Sequence, residues 1–357
     1  MPARSQELAI GIGFKRQTNT GEVATTAAEL QTALTAAELW QLGIGSFSTP
    51  FPEFNQESDA QFFGKGHEWA TQVFPTSINI PFSWDFHLTS QNWAQIIAFA
   101  LGSVTETTPA AGAYQYVCVP KDTTAAGVNL PATTIVAAIR AGGAGEILDI
   151  AAVGMVCNGF SLKMSGGPGL QNTQLASQWM GCGKYVNNCG IVIPAATVET
   201  RLGAGSTTTL TINGVNYLAN SRFVDLQFNF SNDVQPGYYP GSGSQSGFDI
   251  AGRMRLGKRS ATLNWQVELE SDSTELADLL AGTEGTATLK VEGPIIAGST
   301  KHTAQLVLHR TRNKAFKMGE SGGYVTAQVE TEIMYHSSNG VFTATAITNK
   351  ALIGAEA

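Results

Sequence analysis

Carboxylates at every second position are the residues best placed for chemistry in this sequence. Glu268 and Glu270 end the stretch Leu263–Glu270, and Glu330 and Glu332 lie within Val325–Tyr335. Two carboxylates across a cleft are what glycoside hydrolysis needs, one as acid and one as base or nucleophile. Here all four alternate with apolar residues, so the simpler reading is one solvated face of two strands. The five histidines, His67, His87, His302, His309 and His336, are scattered and lack HExxH or other metal-ligand spacing. His87 falls on the polar side of a strand that also carries Asp85, where a solvated histidine is commoner than a catalytic one. No GxSxG or GxxxxGK[ST] occurs, and Gly11-Ile12-Gly13 lacks the third glycine and the helix of a dinucleotide fingerprint. No catalytic residue, cofactor or metal is therefore expected, and the chain reads as a non-enzyme.

Cations gather in two places. Arg253–Arg259 reads as a turn before a strand, and the run holding Arg310, Arg312, Lys314 and Lys317 as a contact with an acidic neighbouring subunit. Neither interleaves the aromatics that stack on bases. The net charge of −7 argues against wrapping nucleic acid, which needs cations to displace counterions. It leaves open a surface past which DNA slides without sticking. Cys118, Cys157, Cys182 and Cys189 match no CxxC pair and have no nearby histidine, so zinc is not expected. Met1–Phe14 has no leader-like continuation, which predicts folding in a reducing cytoplasm with free thiols. A bridge between Cys182 and Cys189 is the alternative.

The elements that position these residues are read from periodicity. Val73–Leu88 is a strand with Trp84, Phe86 and Leu88 on one side and Asp85, His87 and Thr89 on the other. A helix follows, with Ser90 as N-cap, a stripe of Trp93, Ile96, Ile97 and Ala100, and Gly102 as terminator. Ile135–Ile139, Ile147–Val156 and Phe160–Met164 are strands separated by glycine-rich turns. Phe223–Phe230, Leu263–Glu270 and Val325–Tyr335 alternate as half-buried antiparallel strands. In the last of these Val325, Ala327, Val329, Thr331, Ile333 and Tyr335 take the apolar side. Gly241–Gly247 is a flexible loop. Residues 1–60 form an arm: a strand near Leu8–Phe14, a helix over Thr25–Leu42, and an extended polar loop over Ser46–Gln61. The 43% apolar and 14% charged composition is short of charge by about a tenth of the chain. That fits a surface hidden in an assembly, or simply a β-protein rich in small residues.

One pattern occurs twice. Trp84-Asp85-Phe86-His87-Leu88-Thr89-Ser90 matches Trp265-Gln266-Val267-Glu268-Leu269-Glu270-Ser271 at an offset of 181 residues (265 − 84). Each strand runs into a short helix, Gln91–Leu101 and Asp272–Ala281, and each helix ends at a glycine, Gly102 and Gly282. Asp272, three before Glu275, predicts a capping-box start for the second. The division is an arm at 1–60, units at 61–205 and 206–349, and a tail at 350–357.

The order of these segments resembles the tail tube (major tail) proteins of long-tailed bacteriophages. Gly64-Lys65-Gly66 precedes the strand and helix of Ser83–Gly102. Leu130-Pro131-Ala132-Thr133-Thr134-Ile135 is similar to the family's Leu-Pro-small-x-Thr-Ile strand. Gly154–Leu162 is similar to its Gly-x-x-Val-Asn-x-Leu-x-Leu strand, with Cys157 standing between Val156 and Asn158. Trp265–Gly282 repeats the corner, and Gly340–Asn349 matches the closing strand. About residues 60–349 are covered. The resemblance implies a mainly β fold of duplicated tail-tube-type sandwich or barrel units, each flanked by a short helix. It implies a virion protein assembled in the host cytoplasm, stacking as rings around a channel through which DNA passes without specific binding. Its expected partners are itself and other tail proteins such as tape measure and terminator, with no membrane. Trimeric pseudo-hexameric rings are expected if the duplication is real, hexamers otherwise. Asp85, His87, Glu268, Glu270, Glu330 and Glu332 are the expected channel lining; outer solvent or a neighbouring subunit are the alternatives for that face. Trp84, Phe86, Trp265, Val267, Leu269, Val329 and Ile333 are the expected core. A tail terminator or distal tail protein is the alternative function, ahead of a tail-associated cell-wall glycosidase or a surface adhesin.

Overall fold

Period-two alternation of apolar and polar residues gives each strand one face to bury, and hydrogen bonding to neighbours satisfies the backbone. The computed structural model describes residues 13–17, 46–47, 52–58, 73–121, 130–140, 146–166, 173–187, 201–203, 207–218, 223–239, 243–270 and 273–352. These residues are mainly β and almost wholly antiparallel. The first half holds β1 (Gly13–Gln17), β2 (Ser46–Phe47), β3 (Glu53–Ser58), β4 (Val73–His87), helix α1 (Ser90–Leu101), β5 (Gly102–Ala110), β6 (Ala113–Pro120), β7 (Ala132–Arg140), β8 (Glu146–Ser165), β9 (Gln174–Gly181) and β10 (Lys184–Asn187). The second holds β11 (Thr207–Ile212), β12 (Val215–Asn216), β13 (Phe223–Ser231), β14 (Val234–Gly237), β15 (Ser244–Gln245), β16 (Phe248–Asp249), β17 (Arg253–Leu256), β18 (Ser260–Glu268), helix α2 (Glu275–Ala281), β19 (Glu284–Ala297), β20 (Thr300–Ser321), β21 (Tyr324–Ile333) and β22 (Phe342–Thr348).

One order of pairing occurs in both halves. In the first, β4 pairs with β9, β9 with β8, β8 with β7, and β7 with β1, while β10 joins the early part of β8. In the second, β18 pairs with β21, β21 with β20, β20 with β19, and β19 with β11, while β22 joins the early part of β20. The ladder irregularities also correspond. The β8–β9 register shifts between Cys157 and Gly159, and the β20–β21 register between Asn313 and Ala315. The β7–β8 register shifts at Thr133/Ile135, and the β19–β20 register at Gly285/Ala287. Such bulges bend a strand, and here they carry β8 and β20 from one set of neighbours to another. Strand β13 joins the halves, hydrogen-bonded to β8 on one edge and β18 on the other.

Helix α1 is buried along its whole length, and its apolar side chains enter the main core with Trp84, Phe160, Phe228 and Phe342. It is pinned by contacts to the second half. Trp93 Nε1 donates to the Thr345 carbonyl at 2.9 Å, Gln91 Nε2 to Asn349 Oδ1 at 2.7 Å, and Ser90 Oγ lies 2.8 Å from His302 Nδ1. Asn232, fully buried at the end of β13, donates to the carbonyls of Ala100 and Cys157. Around Phe160 the rings of Trp93, Phe228 and Phe230 stand with centroids 5.6–5.7 Å away, an aromatic cluster lying on both sides of the joint.

Several expectations are corrected. The N-cap of α1 is Thr89, not Ser90: the Thr89 hydroxyl accepts from the Asn92 amide, so the helix starts one residue earlier than read. Ile147–Val156 and Phe160–Met164 are parts of the single strand β8, which passes Asn158–Gly159 through a bulge rather than a turn. Within Ser46–Gln61, β2 and β3 are strands paired with β4, because the free edge of β4 offers backbone partners that a polar sequence can use. Of the Leu8–Phe14 strand, Gly13 and Phe14 fall in β1, and residues 8–12 lie outside the described residues. Gly243–Gly247 includes part of a small hairpin, β15–β16. In Val325–Tyr335 the alternation fails at both ends. Thr326 is buried because Gln266 Nε2 donates to its hydroxyl at 2.8 Å, whereas Val325 and Tyr335 are exposed. Helix α2 starts at Glu275 with Thr274 as a cap that makes no side-chain hydrogen bond. The Glu275 carboxylate accepts from the Tyr217 hydroxyl at 3.0 Å in the interior. The Thr25–Leu42 helix, Asp272 and Cys189 lie outside the described residues.

Candidate functional site

The pairing register places the polar residues of seven strands, β4, β9, β8, β13, β18, β21 and β20, in continuous rows. Residues directly opposite across a ladder share a face. One row runs Asp85, Ala176, Ser161, Asn229, Thr262, Glu332. The next runs His87, Gln174, Lys163, Gln227, Asn264, Glu330. Asp225, Gln266, Gln328 and Lys317 align in a third, and Glu268 stands opposite Thr326. Intervening positions such as Trp84, Leu175, Leu162, Phe228, Leu263 and Val329 turn into the core.

Asp85, His87, Glu268, Glu330 and Glu332 therefore lie on one sheet face. They do not meet: His87 and Glu330 are five ladders apart, about 24 Å at the usual strand spacing. Glu270 is not part of the face. It lies past the end of β18, where Leu269 donates to the Val325 carbonyl and the Glu270 amide to Ser273 Oγ as the chain turns towards α2. Amides and hydroxyls dominate the rows, and neighbours satisfy one another, as where Gln227 Nε2 donates to Asn229 Oδ1 at 3.1 Å. Burial raises the Asp225 carboxyl above the ordinary carboxylate range, while the Lys163 charge pulls it back.

The four cations near the face have different surroundings. Arg310 holds Glu284 through two hydrogen bonds of 2.8 Å, which keeps that carboxyl below its usual range. Lys314 Nζ lies 3.3 Å from Glu330. The Arg312 guanidinium lies against Gly282, the C-cap of α2, where a cation suits the carbonyl end of a helix. Lys317 stands opposite Gln328.

A second feature was not read as a site from sequence. A groove of about 1250 Å³ is lined by Lys121, Arg253, Arg255, Lys258 and Arg259, with Tyr239 under Arg255. Its only signal was the density of cations in Arg253–Arg259, which includes β17 as well as the predicted turn. Elsewhere, nucleophiles are held down rather than activated. Cys118, Cys157 and Cys182 are buried thiols, each with its pKa pushed up by burial, Cys157 to about 12. Burial lowers the pKa of His302 and His309, and His309 Nε2 lies 2.8 Å from Thr343 Oγ1. Among the described residues no three His, Cys, Asp or Glu side chains gather as a metal site, and no helix is long and apolar enough to cross a membrane. No protein-family model matches the chain, and a search of curated proteins finds no match to it.

Proposed function

We propose that this chain is a tail tube subunit of a long-tailed bacteriophage, a structural protein that polymerises as stacked rings around a channel for DNA. The observation that carries the reading is the seven-stranded sheet. One of its faces is core, and the other presents ordered rows of amides and hydroxyls with a few carboxylates and lysines. A wall past which a polyanion slides needs hydration without strong phosphate binding, and such rows supply that. The repeated pairing order supports a duplicated tail-tube unit. Two units per chain would let three chains make a pseudo-sixfold ring in which sheet edges are paired off.

Negative-stain microscopy of the purified chain tests this. Rings or tubes with a central channel are expected, with three chains per ring. Six identical chains per ring would set the duplication aside, and discrete monomers at all concentrations would overturn the proposal. The wall is tested separately by Glu268→Lys with Glu330→Lys in assembled tails. Slowed DNA passage that recovers at high salt is expected; passage unchanged across salt would remove these residues from the channel.

A further inference from the structure

Matching the two halves through their ladders pairs individual positions. Trp84 faces Ser177, which faces Phe160; Trp265 faces Val329, which faces Phe316. Phe160 and Phe316 each follow the corresponding bulge by one or two residues, so Phe316 stands where Phe160 does, and Met318 where Leu162 does. The helices match at their glycine C-caps, Gly102 and Gly282, which puts Leu276 at the place of Ile96 and Leu280 at that of Ala100.

The matched positions differ in one respect. Phe160, Leu162, Ile96 and Ala100 are all buried. Met318 is 62% exposed, Leu276 45% and Leu280 79%. What covers the first set is known: β13 pairs along β8 beyond Gly159, and β22 with β20 lies over α1. All of these belong to the second half. The edge of β20 from Ala315 to Ser321 has β21 on one side, and among the described residues no strand on the other.

We propose that a second copy of this chain covers this end, with its first half docking on β20 and α2 as the second half docks on β8 and α1. In that arrangement β2 of the incoming copy takes the role of β13. Both are the strand placed before the tryptophan strand and paired to it, β2 at Trp84 through Phe47 and β13 at Trp265 through Leu226. Its β10 takes the role of β22: Tyr185 faces Ala152 on β8 as Phe342 faces Leu308 on β20. Strand β10 then lies over Leu276 and Leu280. The contact is head-to-tail, joining different faces of the two copies, so it propagates past a dimer and makes a ring where the rotation between copies closes. The inference rests on the self-assembly part of the proposed function and not on what the channel carries.

The experiment uses the full chain. Sedimentation velocity is run on the wild type, Leu280→Glu, Met318→Glu and, as an equally apolar and exposed position away from this end, Ile295→Glu. Circular dichroism checks folding, which charges at such exposed positions leave intact. Leu280→Glu and Met318→Glu are expected to raise the concentration needed for the smallest closed oligomer by about tenfold or more, Ile295→Glu by much less. The variants Leu280→Cys and Tyr185→Cys, each also carrying Cys189→Ser so that the other native thiols, Cys118, Cys157 and Cys182, are buried ones, are then mixed with a short bismaleimide linker. A cross-linked dimer is expected only from the mixture. Wild-type oligomers with neither the cross-link nor sensitivity at Leu280 and Met318 would overturn the inference and leave self-assembly standing. A wild type that never associates would overturn both.

Discussion

The corners β4–α1 and β18–α2 are built to one plan and finished differently. In the first, twelve helical residues are buried between strands of their own half and β20 and β22 of the other. In the second, the seven-residue helix packs on β20 and leaves leucines in solvent. Intrinsic propensity does not explain the contrast, since the exposed helix is the richer in leucine. The difference is the neighbour. Part of the burial at the first corner is supplied by strands of the second half, whereas among the described residues no strand covers the matching face of the second corner. A buried residue such as Leu162 and an exposed one such as Met318 are then the same structural position seen in the two halves.

The largest test of this contrast compares Phe160→Ala with Phe316→Ala in unassembled protein, by urea unfolding. Phe160 loses an enclosed aromatic cluster and should cost about 3–5 kcal/mol. Phe316, half-buried, should cost about 1–2 kcal/mol. Equal losses would mean the two ends are equally enclosed. Gly159→Ala sharpens the point further, because a Cβ there would overlap the Phe230 carbonyl oxygen and push β13 off β8, whereas β20 already carries Ala315 after its bulge.

Next in size is Asn232→Ala, which removes the buried donor to Ala100 and Cys157 at the closed joint. A loss of roughly 2–3 kcal/mol is expected, with both carbonyls left unsatisfied. A loss within about 0.5 kcal/mol, the range of ordinary surface changes, would mean that water replaces it and that the clamp is dispensable.

A smaller effect comes with pH. His302 beside Ser90 belongs to the same joint, and burial lowers its folded pKa below the usual 6.5. The unfolded chain therefore binds the proton first as pH falls. Stability is fully present above about pH 6.5 and declines as pH drops through the folded value. His302→Gln should flatten the fall between neutral and mildly acidic pH; an unchanged slope would move the cause elsewhere.

The smallest is at Asp225, on the strand shared by the halves. Its folded pKa is raised, so the folded state holds the proton more tightly and stability declines as pH rises from the ordinary value of 3.8 through the raised one. Asp225→Asn should stabilise the chain slightly at neutral pH and remove that dependence, as thermal melts across pH 4–7 would record.

Period two is a local property, so strands were legible wherever one side is buried: Trp84 with Phe86, Trp265 with Val267, Leu226 with Phe228. Glycine C-caps were legible for the same reason, since Gly102 and Gly282 take the left-handed conformation with φ of 80° and 65°. Registers are not local. Nothing near Asp85 in sequence says that its row runs to Glu332, and nothing near Phe223–Ser231 says that this strand is bonded on both edges. Glu270 was misplaced because alternation continues in the sequence beyond the point where the ladder stops. The basic groove was missed because Lys121 and Arg253–Arg259 are brought together only by the fold.

Strand β22 has a temporal consequence. It completes the edge of β6, with Ala344 opposite Cys118 and Thr348 opposite Tyr114, and the Leu352 amide donates to the Tyr116 hydroxyl. During synthesis the β5–β6 hairpin leaves the ribosome more than two hundred residues before that partner, on the order of 10 s or longer at ordinary elongation rates. Until then β6 presents a bare edge to every other nascent chain. The risk of mispairing between nascent chains is greatest in that interval, before β22 is translated.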